Sequence, residues 1–303
     1  MTTQTPDYAP HLASALSIAR TAGATIHTAF HNRTSLHIDL KNANDADLVT
    51  QVDRNVEAAI FSHLRAQFPS HRFVGEEGTA AAGDAHTGLG DHAEDDTPTW
   101  VVDPVDGTTN FVHGFPFVAV SIALVVRGIP VVGVVHNPVM NETFHAVIGQ
   151  GAFLNDVPIP TPPLRPLASL ASALIATEYG SDRGEEILGP KVHALHDIVS
   201  SPARGVRSLG SAALTMCYVA RGALDAYWEA GVHAWDVAAA AVILTEAGGL
   251  VANWKDVNAG GAVKYDLCAR NVVCVRKTPE GAQARSILEG IRGKLTPVEY
   301  TRD

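Results

Sequence analysis

Asp103 and Asp106 stand three residues apart in the stretch WVVDPVDGTTNF, residues 100–111, directly after an apolar, strand-like run. Ionised carboxylates are costly to bury, so something positive must compensate them. Pro104 removes a backbone N–H and stiffens the bend, and Gly107 permits backbone shapes closed to other residues. Thr108 and Thr109 then offer hydroxyls and, if a helix starts there, free N–H groups of the kind that hold phosphate. Carboxylates beside a phosphate repel it unless cations stand between them. Mg2+ is the natural cation, because it takes carboxylate, carbonyl and water oxygens. A plain Asp-Pro turn with an Asx cap would account for DPVD by itself. The longer string D-P-x-D-G-T shifts the balance, since five fixed residues recur by chance about once in 3 million positions.

Further acids add to this pattern, each with a plainer explanation beside it. Glu76 and Glu77 follow a short apolar stretch in VGEEG, although adjacent glutamates are also ordinary on surfaces. The segment EAGVHAWD puts Glu229 at the end of a strand and Asp236 at the start of an Ala-rich helix, where the helix dipole alone favours an acid. Thr50 and Asp53 read as a capping box with Asp in place of Glu. His86 and His92 lie in a small, acidic stretch at 78–98 that reads as a mobile surface loop; they could bind metal, but histidines in such a stretch are more often merely solvated.

The elements that must carry these residues follow from periodicity. Apolar residues Leu12, Ala15, Ile18, Ala19, Ala22 and Ile26 predict a helix over 9–30, and Val52, Val56, Ile60 and Leu64 predict another over 51–67. Strands are expected at 71–75, 99–103, 117–126, 131–137 and 142–149, with a hairpin turn at RGIP. Consecutive strands with short connections suggest an antiparallel sheet with helices on its faces. Residues 156–167 hold five prolines and are expected to be an irregular connection between two layers or subdomains. Beyond it, strands are expected at 172–178, 223–229, 250–254 and 271–276, and helices at 185–199, 208–222, 235–249 and 279–293.

Composition sets outer limits. A chain of 303 residues with 46% hydrophobic and 18% charged residues has ample material for a core and is not a disordered polymer. A net charge of −10 argues against sequence-independent binding to nucleic acid or an anionic membrane. The run FVAVSIALVV at 117–126 is too short to span a bilayer, and MTTQTPDYAP has no signal-peptide pattern. Cys217, Cys268 and Cys274 fit no zinc spacing and read as reduced core residues, as expected in the cytoplasm.

Taken in order, DLVTQVD (47–53), GEE (75–77), WVVDPVDGTTNFVHGFPFVAVSIAL (100–124), GVRSLGSAALTMCYVA (205–220) and WDVAAAAVILTEAGG (235–249) resemble the inositol monophosphatase family. The resemblance runs from about residue 9 to residue 293. It implies a single α+β domain with the layered αβαβα sandwich of sugar phosphatases. It also implies a Mg2+-dependent, lithium-sensitive phosphomonoesterase that forms a homodimer and acts on a small-molecule phosphate ester. By motif, Glu76, Asp103 and the Val105 carbonyl would ligate one metal, and Asp103, Asp106 and Asp236 a second. Thr108, paired with Asp53, and Glu76 would orient and deprotonate the attacking water. Gly107, Thr108 and Thr109 would cradle the phosphate, with Asp106 and Asp236 facing it. Gly210, Ser211, Ala212 and Glu229 would face the sugar-like part of the substrate.

Three positions depart from the family pattern. Ala239 stands where glycine is frequent, Lys41 matches an upstream lysine only with one residue of extra spacing, and the 78–98 loop is long. The loop length puts in doubt any role of that loop in ordering a third metal. Relatives with the same D-P-x-D-G-T core act on fructose 1,6-bisphosphate, 3′-phosphoadenosine 5′-phosphate or histidinol phosphate. NFVHGFPFVAVSIAL and EAGVHAWD favour inositol phosphate. A non-catalytic, metal-binding regulator would carry a degenerate site, whereas all the expected carboxylates are present here.

Overall fold

A computed structural model describes residues 7–32, 38–40, 48–78, 89, 96–161, 164–201, 203–254 and 265–300. Lys41, His86, His92 and most of the 78–98 loop lie outside the described residues.

The chain begins with helix α1 (Ala9–His31), a hairpin of β1 (Ile38–Leu40) and β2 (Leu48–Thr50), and α2 (Gln51–Gln67). Strands β3 (Arg72–Gly75) and β4 (Thr99–Asp106) lead to the short α3 (Thr108–His113). Then come β5 (Ala119–Val126), β6 (Ile129–Asn137), β7 (Glu142–Val147), β8 (Ala152–Leu154) and β9 (Val157–Ile159). The second half runs β10 (Leu174–Thr177), α4 (Glu185–Ser200), β11 (Gly205–Arg207), α5 (Ala212–Ala220), β12 (Ala226–Ala230) and α6 (Ala234–Glu246). It closes with β13 (Leu250–Ala252), β14 (Asn271–Val275) and α7 (Gly281–Arg292).

Strands β3 to β9 form one seven-stranded sheet in sequence order, and β11-β10-β12-β14-β13 form a second of five strands. Hydrophobic periodicity explains the stacking. Strand β4 alternates, with Trp100 and Val102 on one face and Val101 on the other. Trp100 and Val102 join Val120, Ile122 and Val134 against Ile18, Ile26, Val56 and Ile60 of α1 and α2. The opposite face, with Val101, Ala123 and Phe144, meets Leu214 and Val219 of α5 and Val237 and Leu244 of α6. Tyr227 and Cys274 of the second sheet close this middle core from the other side. The outer face of that sheet carries Ile175, Trp228 and Val273 against Ile198 of α4 and Ile287 and Ile291 of α7. Five layers result: helices, sheet, helices, sheet, helices. Helix α6 sits close on β6, because a Cβ at Gly133 would come 2.3 Å from the Ala239 carbonyl oxygen.

The expected helices are present, the first sheet is antiparallel from β4 to β9 but parallel between β3 and β4, and Cys217, Cys268 and Cys274 are buried and form no disulfide. Three further expectations are corrected. The segment 156–167 is not wholly irregular, since Val157–Ile159 pairs with β8. Pro158 is tolerated because β9 is an edge strand, where a missing N–H faces no partner. The helix expected at 208–222 begins only at Ala212, with Ser211 as its N-cap accepting from Leu214 N at 3.2 Å. The strand expected to end at Asp103 instead continues to Asp106 across a bulge.

Candidate active site

That bulge explains the spacing of the two aspartates. In a regular strand, residues three apart point to opposite faces. Asp103 pairs with Ser121 and Asp106 with Ala119, and the register shifts between them. Pro104, with no N–H to offer the ladder, sits inside the irregularity. The shift places Val105 in the core shared with α1 and α2 and returns Asp106 to the middle layer. Asp103, in phase with Val101, belongs to that same side.

Within the middle layer, Asp106 is held at the start of α5. Its Oδ2 accepts from Ser211 Oγ at 2.6 Å and from Ala213 N at 2.7 Å. Asp103 accepts from Val105 N at 2.9 Å. Asp236 lies in the first turn of α6 and accepts from His233 N at 2.7 Å. Ser121 Oγ donates to the Trp235 carbonyl at 3.1 Å and so fixes the start of α6 on β5.

Glu76 comes from the neighbouring strand. β3 runs parallel to β4 with Gly75 opposite Val102, so Glu76 leaves β3 beside Asp103, which lies within β4 just before its bulge. The Glu76 charge raises the proton affinity of Asp53, Asp106 and Asp236 alike, which places it electrostatically at the centre of the acids. Asp106 is pushed up to about 7, first by burial and then by Glu76, against the pull of its Ser211 and Ala213 bonds. Asp236 is also pushed up to about 7, by burial and by Asp106 and Glu76, with His233 opposing.

Thr108 opens α3, and Asp53 reaches it from α2. Asp53 is fully buried and accepts from Thr50 N at 3.0 Å and from the Thr50 hydroxyl, completing the capping box. Its other oxygen faces Thr108 Oγ1 at 3.2 Å, and the Val105 carbonyl lies 3.1 Å from the same hydroxyl. Burial raises the Asp53 carboxyl above its ordinary range, opposed by the Thr50 hydroxyl. Gly107 precedes Thr108 at φ 95°, a left-handed conformation that disfavours any side chain. A Cβ there would come 2.9 Å from the Phe117 carbonyl and 3.0 Å from the Gly210 carbonyl. Thr109 is exposed on the first turn of α3.

The 209–211 turn therefore abuts the 107–110 turn. Asn110 Nδ2 bridges them, donating to Leu209 O at 2.7 Å and Phe117 O at 2.9 Å. Glu178 grips the same turn from the second sheet through Leu209 N and, at 2.8 Å, Gly210 N. Strands β10 and β12 are parallel with Thr177 opposite Trp228, so Glu178 emerges beside Glu229. Glu229 is buried, accepts from the Tyr227 hydroxyl, and is raised far above its ordinary range by burial and then by Glu178. Each sheet thus contributes a parallel strand pair, β3 with β4 and β10 with β12, that sets two carboxylates side by side toward the C-terminal part of its strands, the region where open α/β sheets place their sites.

The structure brings Glu76, Asp103, Asp106 and Asp236 into one layer, sets Thr108 on Asp53, and places Gly210, Ser211 and Ala212 against the Gly107 turn. The Ser211 hydroxyl is spent on Asp106. Glu229 stands with Glu178 on the second sheet. Among the described residues, no three His, Cys, Asp or Glu side chains are already closed into a ligand cage. The donor set nonetheless suits a hard divalent cation: buried carboxylates that raise one another's proton affinity, beside a backbone carbonyl. Asn110 and Glu178 were not anticipated from sequence. Asn110 stands in the same TTN run as Thr108 and Thr109, and Glu178 ends ALIATE much as Glu229 ends DAYWE.

Comparison with known proteins agrees with this geometry. Residues 7–291 match the model of the inositol monophosphatase family. Inositol monophosphatase 2 of Solanum lycopersicum is 45% identical over 259 residues, covering 85% of this chain and 90% of that protein. Inositol monophosphatase 1 of Homo sapiens is 37% identical over 289 residues, covering 95% of each. The crystal structure of the extragenic suppressor protein suhB from Bartonella henselae superposes with a TM-score of 0.76 at 32% identity, over 94% of this chain and 98% of that one.

Proposed function

The chain belongs to the inositol monophosphatase family and is a phosphatase, and we propose that it hydrolyses inositol monophosphates to inositol and phosphate with Mg2+ as cofactor. The observation that carries this reading is the β4 bulge, which returns Asp106 to the side of the sheet that carries Asp103, where its charge acts on Asp236, while Asp53 holds the Thr108 hydroxyl. Glu76, Asp103, Asp106, Asp236 and the Val105 carbonyl are the residues that would hold magnesium. When bound, the metal supplies charge compensation for the phosphate and for the leaving oxygen.

The protein's own groups do the rest. Thr108 donates its hydroxyl hydrogen bond to Asp53 or to the Val105 carbonyl, so its free lone pair accepts from the attacking water and aims it. Glu76 stands among the acids as the group that takes the water's second proton. Backbone N–H groups of Thr108 and Thr109, unpaired in the first turn of α3, face the phosphate beside Gly107. Glu229 accepts a hydrogen bond from a substrate hydroxyl, which favours a polyol over an apolar alcohol. The enzyme works in the cytoplasm as a lithium-sensitive homodimer under this reading. Among the described residues no helix is long and apolar enough to cross a membrane.

The test is phosphate release from inositol 1-phosphate with and without Mg2+, beside Asp103→Asn. Fructose 1,6-bisphosphate, 3′-phosphoadenosine 5′-phosphate and histidinol phosphate serve as competitors. Mg2+-dependent turnover of the inositol ester, lost in Asp103→Asn, is expected. Turnover of another ester alone would move the substrate, and no turnover of any would point to a metal-binding regulator.

A further inference from the structure

The pair Glu178 and Glu229 puts a half-buried and a buried carboxylate side by side, and a buried cation acts on the second. Lys191 of α4 is 3% exposed, and its charge acts on Glu229. Its ammonium has three acceptors: Ala230 O at 2.9 Å, Tyr179 O at 3.0 Å and the Tyr300 hydroxyl at 3.1 Å. All three protons of the ammonium are therefore used. Two of the acceptors flank the carboxylates directly in sequence, since Tyr179 follows Glu178 and Ala230 follows Glu229.

The segment after Glu229 is held further along. Arg270 donates to Gly231 O at 2.8 Å and to Val232 O at 2.9 Å. Three consecutive carbonyls, 230 to 232, thus rest on two cations. The ring of Tyr300 lies between those cations, 5.5 Å from the Lys191 nitrogen and 5.3 Å from the Arg270 guanidinium, and packs against Gly231. Tyr300 lies eight residues beyond the end of α7. The C-terminal segment therefore returns to the strand that carries Glu229, whose last residue, Ala230, lies four residues before the start of the helix that carries Asp236.

We propose that Lys191 and Tyr300 are positioning residues that hold the Glu229 carboxylate toward the alcohol part of the substrate, so that the C-terminal segment sets the preference for polyol phosphate esters. This deepens the substrate reading above and rests on it. Burial pushes the Lys191 ammonium below its ordinary range while Glu229 pulls it back up, as expected for a cation kept inside by a facing carboxylate. Neither residue touches the Glu76, Asp103, Asp106 and Asp236 group. Loss of the clamp should consequently spare the hydrolysis itself.

The experiment compares kcat/KM for inositol 1-phosphate with that for p-nitrophenyl phosphate, which has no hydroxyl for Glu229 to accept. Lys191→Met and Tyr300→Phe are assayed in the full chain with Mg2+, and their melting temperatures are recorded. The expected result is a fall in the ratio of about tenfold for Lys191→Met, carried by KM, and a smaller fall for Tyr300→Phe. A merely structural role would lower both esters together. A Lys191→Met protein that loses both alike overturns the proposal, as does an unchanged ratio in Tyr300→Phe, which removes a single hydroxyl and decides the matter if Lys191→Met does not fold. A wild type inert toward inositol 1-phosphate but active on p-nitrophenyl phosphate overturns the substrate reading, and the clamp with it. An active wild type with unaltered variants overturns the clamp alone.

Discussion

The Asp53–Thr108 contact can be tested as a unit by a double-mutant cycle on Asp53→Asn and Thr108→Val. Asp53 is fully buried and serves three donors: Thr50 N at 3.0 Å, the Thr50 hydroxyl, and Thr108 Oγ1 at 3.2 Å. Asparagine turns one acceptor oxygen into a donor that meets another donor, at about 1–3 kcal/mol of stability. A weakened cap on α2 adds about 1 kcal/mol. Thr108→Val keeps the volume but strips Asp53 of one partner, which costs about 1 kcal/mol. Against a typical total of about 5–15 kcal/mol, both variants stay folded at 25 °C, and a thermal melt checks this. If the pair aims and activates the attacking water, each substitution lowers kcat by about 10²–10⁴. That corresponds to about 3–5 kcal/mol of barrier. The double variant should then be no slower than the worse single variant, because the two act through one hydrogen bond. The assay is phosphate release at saturating Mg2+ and inositol 1-phosphate. Effects that multiply in the double variant would show that the residues act separately. A kcat within about threefold of wild type in Asp53→Asn would reduce Asp53 to a helix cap and refute the reasoning.

Two other outcomes follow from the same site. Asp106 and Asp236, both raised to about 7 by burial first, hold protons that an unfolded chain releases near pH 4; their contribution to stability is present below that pH and is lost as pH rises through 7. The melting temperature of EDTA-treated protein should therefore fall between pH 5 and pH 8 at about constant ionic strength, and Mg2+ should restore it at the upper end; a flat or rising profile would be inconsistent with these assignments. Asn110→Ala removes the bonds to Leu209 O and Phe117 O, so it should cost about 1–3 kcal/mol and raise KM for inositol 1-phosphate by loosening the 209–211 turn; calorimetry and steady-state kinetics on one preparation check both.

Much of the fold was legible because its signals are local. The apolar face of 51–67 and the Thr50–Asp53 box locate α2 without any tertiary information, and the observed helix spans Gln51–Gln67. The three-residue strands β1, β2 and β11 escaped notice because elements so short carry almost no periodicity. The family resemblance supplied candidate metal ligands, but the reason for the three-residue spacing lay in the β4 bulge. A bulge is a property of two paired strands, and Pro104 alone does not announce whether pairing resumes beyond it. Asn110, Glu178 and Lys191 were missed for a related reason. Their partners Leu209, Gly210 and Ala230 are tens of residues away in the chain, so nothing in their own neighbourhoods marks them.

The parallel strand pairs β3–β4 and β10–β12 have a consequence for how such an enzyme can change over generations. An antiparallel hairpin joins one strand's end to its neighbour's beginning, so it cannot present two C-terminal ends together. A parallel pair can, and each sheet here has a pair with carboxylates side by side toward those ends: Glu76 with Asp103, and Glu178 with Glu229. Under the proposed reading the first pair belongs to the hydrolysis and the second to the choice of alcohol. The two pairs belong to different sheets, which approach each other where the 107–110 and 209–211 turns abut. A lineage could therefore retune the second pair for a new ester while inheriting the first unchanged, which makes the second sheet the natural place to look when related sequences diverge in substrate.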